Sequence, residues 1–101
     1  MDWNSTPHRR LVRAIRALRS DDEARRFLRD LLTEGEIEEF AKRLQAAEML
    51  EKRVSYSEIV AQTGLSSTTV ARVSKWLKGK EGGYRKILHR LHSGKSSKAG
   101  G

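Results

Sequence analysis

Apolar residues return along the chain at helical spacing, and nowhere do they alternate as a half-buried strand requires. Thr6-Pro7 sets a capping side chain before a proline at the first helical position, a helix start signal. Leu11, Ile15 and Leu18 then fall on one face, with Val12 beside them. Ser20-Asp21-Asp22-Glu23 has the capping-box pattern, in which a hydroxyl and a carboxylate three residues apart satisfy free backbone N–H groups. Behind it Ala24, Phe27, Leu28, Leu31 and Leu32 follow the i, i+3, i+4, i+7, i+8 stripe of an amphipathic helix. Thr33-Glu34-Gly35-Glu36 repeats the box. Ile37, Phe40, Ala41, Leu44, Ala47 and Leu50 carry a third helix to about Lys52.

A further box, Ser55-Tyr56-Ser57-Glu58, opens a short helix with Ile59 and Val60, and Gly64 stops it. Ser66 caps the next helix, whose inner face is Val70, Val73 and Leu77. Gly79, Gly82 and Gly83 break the chain before a last short amphipathic helix with Tyr84, Ile87, Leu88 and Leu91. Residues 93–101 are Ser, Gly, Lys and Ala, which build no core and read as a disordered basic tail. The pattern predicts an all-α fold, with one domain over residues 1–92.

Composition narrows the class. A chain of 101 residues is one domain by length, short for a catalytic cleft and a core together. With 37% hydrophobic and 34% charged residues it is polar for a compact monomer and suits a core completed by a partner. Cys is absent, so disulfides, thiolate metal sites and cysteine nucleophiles drop out, and a cytoplasmic setting fits. No signal-peptide core and no run of about 18 apolar residues occurs, which argues against membrane insertion.

The net charge of +8 favours polyanionic partners, nucleic acid first and an anionic membrane second. Its distribution says more than its total. Arg9 to Arg29 holds eight Arg and three acids; Asp30 to Glu58 holds eight acids and four bases; Arg72 to Lys98 holds nine bases and one acid, Glu81. A basic C-terminal third therefore follows an acidic middle.

Short helix, glycine, short helix is where architecture becomes chemistry. Gly64 can take the positive φ of a tight turn between crossed helices. Leu65, Val70 and Val73 face back to lock the second helix, leaving Ser67, Thr68, Thr69, Arg72 and Lys75 outward with no acid among them. Such a face fits the major groove: hydroxyls donate or accept at several bases, and Arg suits bidentate contact with guanine. The helix-turn-helix spans about residues 55–77. Val60 stands where such motifs usually hold Ala.

Leu31-Leu32-Thr33, Arg43, Glu48, Leu50 and Ser55, Glu58-Ile59 through Gly64, Thr69-Val70-Ala71-Arg72 and Leu77-Lys78 together resemble the Trp repressor superfamily. Residues 56–75, with Gly82-Gly83-Tyr84, are most similar to its YerC/YecD type. The resemblance implies six helices and an intertwined homodimer. It implies that Tyr56 and Ser57 approach phosphates, that Ser67, Thr68 and Thr69 lie at base edges, and that Lys78 sits near the DNA backbone. It further places Thr33, Arg43 and Arg72 around a candidate effector pocket. Yet the glycine that leaves room for an indole is here Val73, a ligand-facing serine is Trp76, and a wall leucine is Asp30. These changes argue against L-tryptophan as corepressor, and no cofactor is expected.

His89 and His92 share a helical face without an acidic or thiol neighbour, so no metal site is expected. Glu34, Glu36, Glu38 and Glu39 lie early in a helix, where dipole and capping effects account for them. Phosphate loops and nucleophile elbows are missing, so an enzyme is the least favoured class. The expectation is a double-stranded-DNA-binding transcriptional regulator, a repressor reading a palindromic operator through residues 67–77 and associated with the nucleoid. The alternatives are a DNA-binding module of transposase or replication-initiator type, or a non-specific basic nucleic-acid-binding protein.

Overall fold

Local capping decides where the helices begin. In the computed structural model the backbone is described for residues 1–100 and side chains for residues 1–93. The tail expected over 93–101 falls, apart from Ser93, on residues whose side chains lie outside that description. The helices are α1 (Thr6–Arg16), α2 (Asp21–Leu31), α3 (Glu34–Glu51), α4 (Tyr56–Thr63), α5 (Ser67–Leu77) and α6 (Gly83–Gly100), with no strand among the described residues. The chain forms two compact units, Met1–Ile37 and Glu38–Gly101.

In the first unit, α1 starts one residue earlier than its proline signal suggests, with Ser5 as the cap position. Ser5 makes no capping bond to the backbone. Its Oγ lies 2.6 Å from His8 Nδ1, which is also 2.8 Å from the Asp2 carbonyl oxygen. Ser20 caps α2 as expected, its Oγ accepting from Glu23 N at 3.1 Å, while the Glu23 carboxylate accepts from Arg19 N. At the start of α3 the box is reciprocal: Thr33 Oγ1 accepts from Glu36 N at 3.1 Å, and Glu36 Oε1 accepts from Thr33 N at 2.9 Å. Accepting that backbone N–H, and bonding to the Thr33 side chain, holds the Glu36 carboxyl below the ordinary carboxylate range.

No residue of α1 or α2 is buried. Leu11, Val12, Ile15 and Leu31 remain 41% to 48% exposed, although the sequence pattern marks them as core.

The second unit carries the core. Ala46 and Ala47 of α3, Ile59 of α4, Leu65, Val70, Val73 and Leu77 on and before α5, and Leu88 of α6 are all buried. Leu44, Met49, Leu50, Val54, Val60 and Tyr84 pack against them in part. The larger Val60 side chain is accommodated at the edge of this core. The α3 stripe is shifted from its expected positions: Ala46 is fully buried, whereas Ala41 and Phe40 are exposed. Ile87 and Leu91 of α6 also stay about half exposed.

Candidate nucleic-acid interface

The α4–α5 corner is fixed from inside by backbone geometry and one hydroxyl. Gly64 ends α4 in the left-handed region at φ 76°, and its N–H donates to the Val60 carbonyl. Buried Thr63 uses its Oγ1 twice, donating to the Ile59 carbonyl at 2.7 Å and accepting from Leu65 N at 3.2 Å. That second bond satisfies a backbone N–H the turn would otherwise strand in the core. Ser66 then caps α5 by accepting from Thr69 N at 3.1 Å. Val70, Val73 and Leu77 anchor the inner face of α5.

The opposite face is polar and cationic. Ser67, Thr68, Arg72 and Lys75 are exposed on α5, and Lys78 is exposed just beyond it. No carboxylate lies on this helix, and among the described residues none of the three cations forms an ion pair. Thr68, Ala71, Arg72, Lys75 and Trp76 line a surface hollow of about 610 Å³. Thr69 is only partly outward: it is half-buried, and its Oγ1 accepts from Ser66 Oγ at 3.0 Å, leaving its own O–H as a donor. Tyr56 opens α4 at 44% exposure with Ser57 exposed beside it. Ser55 Oγ accepts from Glu58 N at 3.3 Å and fixes that end.

The candidate effector residues have local engagements. Thr33 caps α3. Arg43 pairs with Glu39 on its own helix at 3.3 Å and lies 5.7 Å from the Phe40 ring centroid, a cation–π arrangement. Arg72 points from the exposed face of α5. Val73, at 2% exposure, belongs to the core.

Trp76 was legible as a bulky residue but not as a surface one. It is 55% exposed, and with Leu44, Glu81, Gly83, Tyr84 and Ile87 it lines an apolar cleft of about 440 Å³. Thr63 carried a weak signal, since it stands four residues after Ile59 on the inner face of α4. Arg85, whose guanidinium donates to the Leu77 carbonyl and so fastens α6 to the end of α5, carried none.

Three likenesses bear on this site. Residues 7–92 match the family model described as Trp repressor protein. The uncharacterized protein YerC of Bacillus subtilis (strain 168) is 36% identical over 81 residues, 80% of this chain and 78% of that one. The solved structure of a TrpR like protein from Eubacterium eligens ATCC 27750 superposes with a TM-score of 0.82 at 33% identity, covering 89% of this chain and 93% of the other.

Proposed function

Because the chain belongs to the Trp repressor family, whose members are helix-turn-helix DNA-binding regulators rather than enzymes, we propose that it is a sequence-specific repressor acting as a homodimer on a palindromic operator. The observation that carries this reading is α5 itself. Its inner face is locked by Val70, Val73 and Leu77, while its outer face offers hydroxyls and unpaired cations to the major groove. Ser67 and Thr68 meet base edges, with Thr69 contributing its O–H; Arg72 reads guanine. Tyr56, Ser57, Lys75 and Lys78 hold phosphates on either side. The protein works at the nucleoid, in the cytoplasm. Among the described residues no helix is long and apolar enough to cross a membrane.

The dimer is supported by apolar surface. Leu11, Val12 and Ile15 on α1, Leu31 on α2, Phe40 on α3, and Ile87 and Leu91 on α6 are 41% to 50% exposed, and clustered bare apolar side chains mark interaction surfaces. A second copy of the same chain covers them isologously and sets two reading helices about one turn of DNA apart.

No L-tryptophan is required. The position that would open the gap for an indole is filled by Val73, which the core already uses.

Selection from random duplexes tests the reader. An enriched motif with two half-sites about 10 base pairs apart is expected. Arg72→Ala should weaken binding by about 1–3 kcal/mol and relax one base preference. A uniform loss across sequences would make Arg72 a phosphate contact. Selection that returns no motif would overturn sequence-specific reading and leave a non-specific basic binder.

A further inference from the structure

We propose that α1 carries a second DNA-contacting surface, a row of arginines that grips the phosphate backbone; this rests on the DNA-binding reading above. From Trp3 to Ser20 there is no acidic residue, yet Arg9, Arg10, Arg13, Arg16 and Arg19 fall in that stretch. At 3.6 residues per turn, Arg9, Arg10, Arg13 and Arg16 occupy an arc of about 120° on α1. Leu11, Ile15 and Leu18 lie on the opposite side. All four arginines are exposed. Thr6, Arg9, Arg10 and Arg13 surround a hollow of about 170 Å³.

Two observations separate this row from an ordinary solvated face. The first is pairing. The α2 arginines Arg25 and Arg26 share the Asp22 carboxylate, at 2.7 and 2.9 Å, while among the described residues no α1 arginine has a carboxylate partner. The second is self-repulsion. Arg9 and Arg13 stand at i,i+4, and Arg10–Arg13 and Arg13–Arg16 at i,i+3, spacings at which like charges destabilise a helix. A helix face that carries this repulsion with no carboxylate on its own helix suits a counter-charge supplied from outside the chain.

The chemistry favours phosphate. Guanidinium groups match phosphate oxygens bidentately. Arg9 to Arg16 span about 10 Å at 1.5 Å per residue, the axial length of about three base pairs. The row also points away from the apolar face, so a copy seated on Leu11 and Ile15 leaves the arginines free. An anionic bilayer would instead need those same apolar residues in lipid. The acidic α3 of a second copy is the competing partner; Glu36 is bonded to Thr33 and Glu39 to Arg43, and such pairing would show as a change of oligomeric state.

The test compares the full chain with R9Q/R13Q/R16Q, glutamine being about as good a helix former as arginine. Affinity for the selected duplex is measured across a salt series. The slope of log K against log salt should become shallower by roughly 3 to 5, at about 0.9 for each phosphate that the dimer no longer neutralises, with base preferences unchanged. R9K/R13K/R16K should keep the native slope, since Lys also holds a phosphate as a point charge. The single variants R9Q and R16Q should each make it shallower by about 2, one phosphate from each protomer, a readout that stands even if the triple variant folds poorly. A slope change below about 1 in the triple variant and in both single variants overturns the inference while leaving the α5 reading intact. Native binding to phosphatidylserine vesicles that the glutamine variant loses, with its DNA slope unchanged, reassigns the row to membrane. A variant that becomes monomeric at unchanged slope reassigns it to the second copy. Native protein that binds no duplex at any salt overturns both readings.

Discussion

Thr63 shows how much of the reading head depends on one hydroxyl. Its methyl group fills the inner face of α4, and its Oγ1 both donates to Ile59 and accepts the N–H of Leu65, where the chain turns from one motif helix into the next. Thr63→Val keeps the volume and removes the acceptor, so the Leu65 N–H is left buried and unpaired. The expected cost is about 1–3 kcal/mol. It should appear in urea denaturation at fixed protein concentration as a lower midpoint with an unchanged slope. Thr63→Ser, which retains the hydroxyl, should lose clearly less. Equal stability of the valine variant and the native protein would show that the bond contributes nothing. Gly64 beside it has open space around a would-be Cβ, so its requirement is purely the positive φ, not room.

Among the elements, what is local was legible and what is tertiary was not. The hydroxyls of Ser20, Thr33, Ser55 and Ser66 all cap as their spacing implies, because each bond closes over three residues and needs nothing distant. Burial is different: one stripe on α3 cannot say which alanine another helix will press upon, so Ala46 was overlooked and Ala41 misplaced. Trp76 was expected beside Val73 and stands exposed over the cleft for the same reason. The end of α3 near Lys52 was legible, but the way it closes was not. There Val54 N donates to the Met49 carbonyl and Arg53 N to that of Leu50, the two bonds of a Schellman motif. Arg53 occupies at φ 62° the left-handed position that glycine normally takes. Arg53→Gly should therefore stabilise the fold by up to about 1 kcal/mol, the left-handed penalty of a Cβ less the added freedom of glycine in the unfolded chain. Thermal unfolding at matched protein concentration measures it. A lower melting temperature would mean that the Arg53 side chain makes a stabilising contact worth more than the strain.

At the scale of the whole molecule, two consequences follow from a core that is concentrated in α3 to α6 while α1 and α2 bury nothing. If a second copy covers the exposed apolar faces, folding and association are one reaction, and the melting temperature should rise with protein concentration. A melting temperature constant over a hundredfold dilution, with a monomer mass by light scattering at micromolar concentration, would refute the dimer. The second consequence concerns the switch. In a repressor that waits for its amino acid, a gap beside the reading helix lets the head collapse until the ligand props it out. Here Val73 is 2% exposed and part of the core, which leaves no such gap at that position. Trp76 lines an apolar cleft with Leu44, Tyr84 and Ile87. Arg43 pairs with Glu39 and lies over the Phe40 ring. DNA affinity should accordingly be the same with and without L-tryptophan, and calorimetry should detect no binding of the amino acid to the native protein. Trp76→Ser should not restore a tryptophan response on its own, because Val73 still fills the core position. Tryptophan that tightens the native DNA complex tenfold, about 1.4 kcal/mol of coupling, would mean that the pocket opens despite Val73.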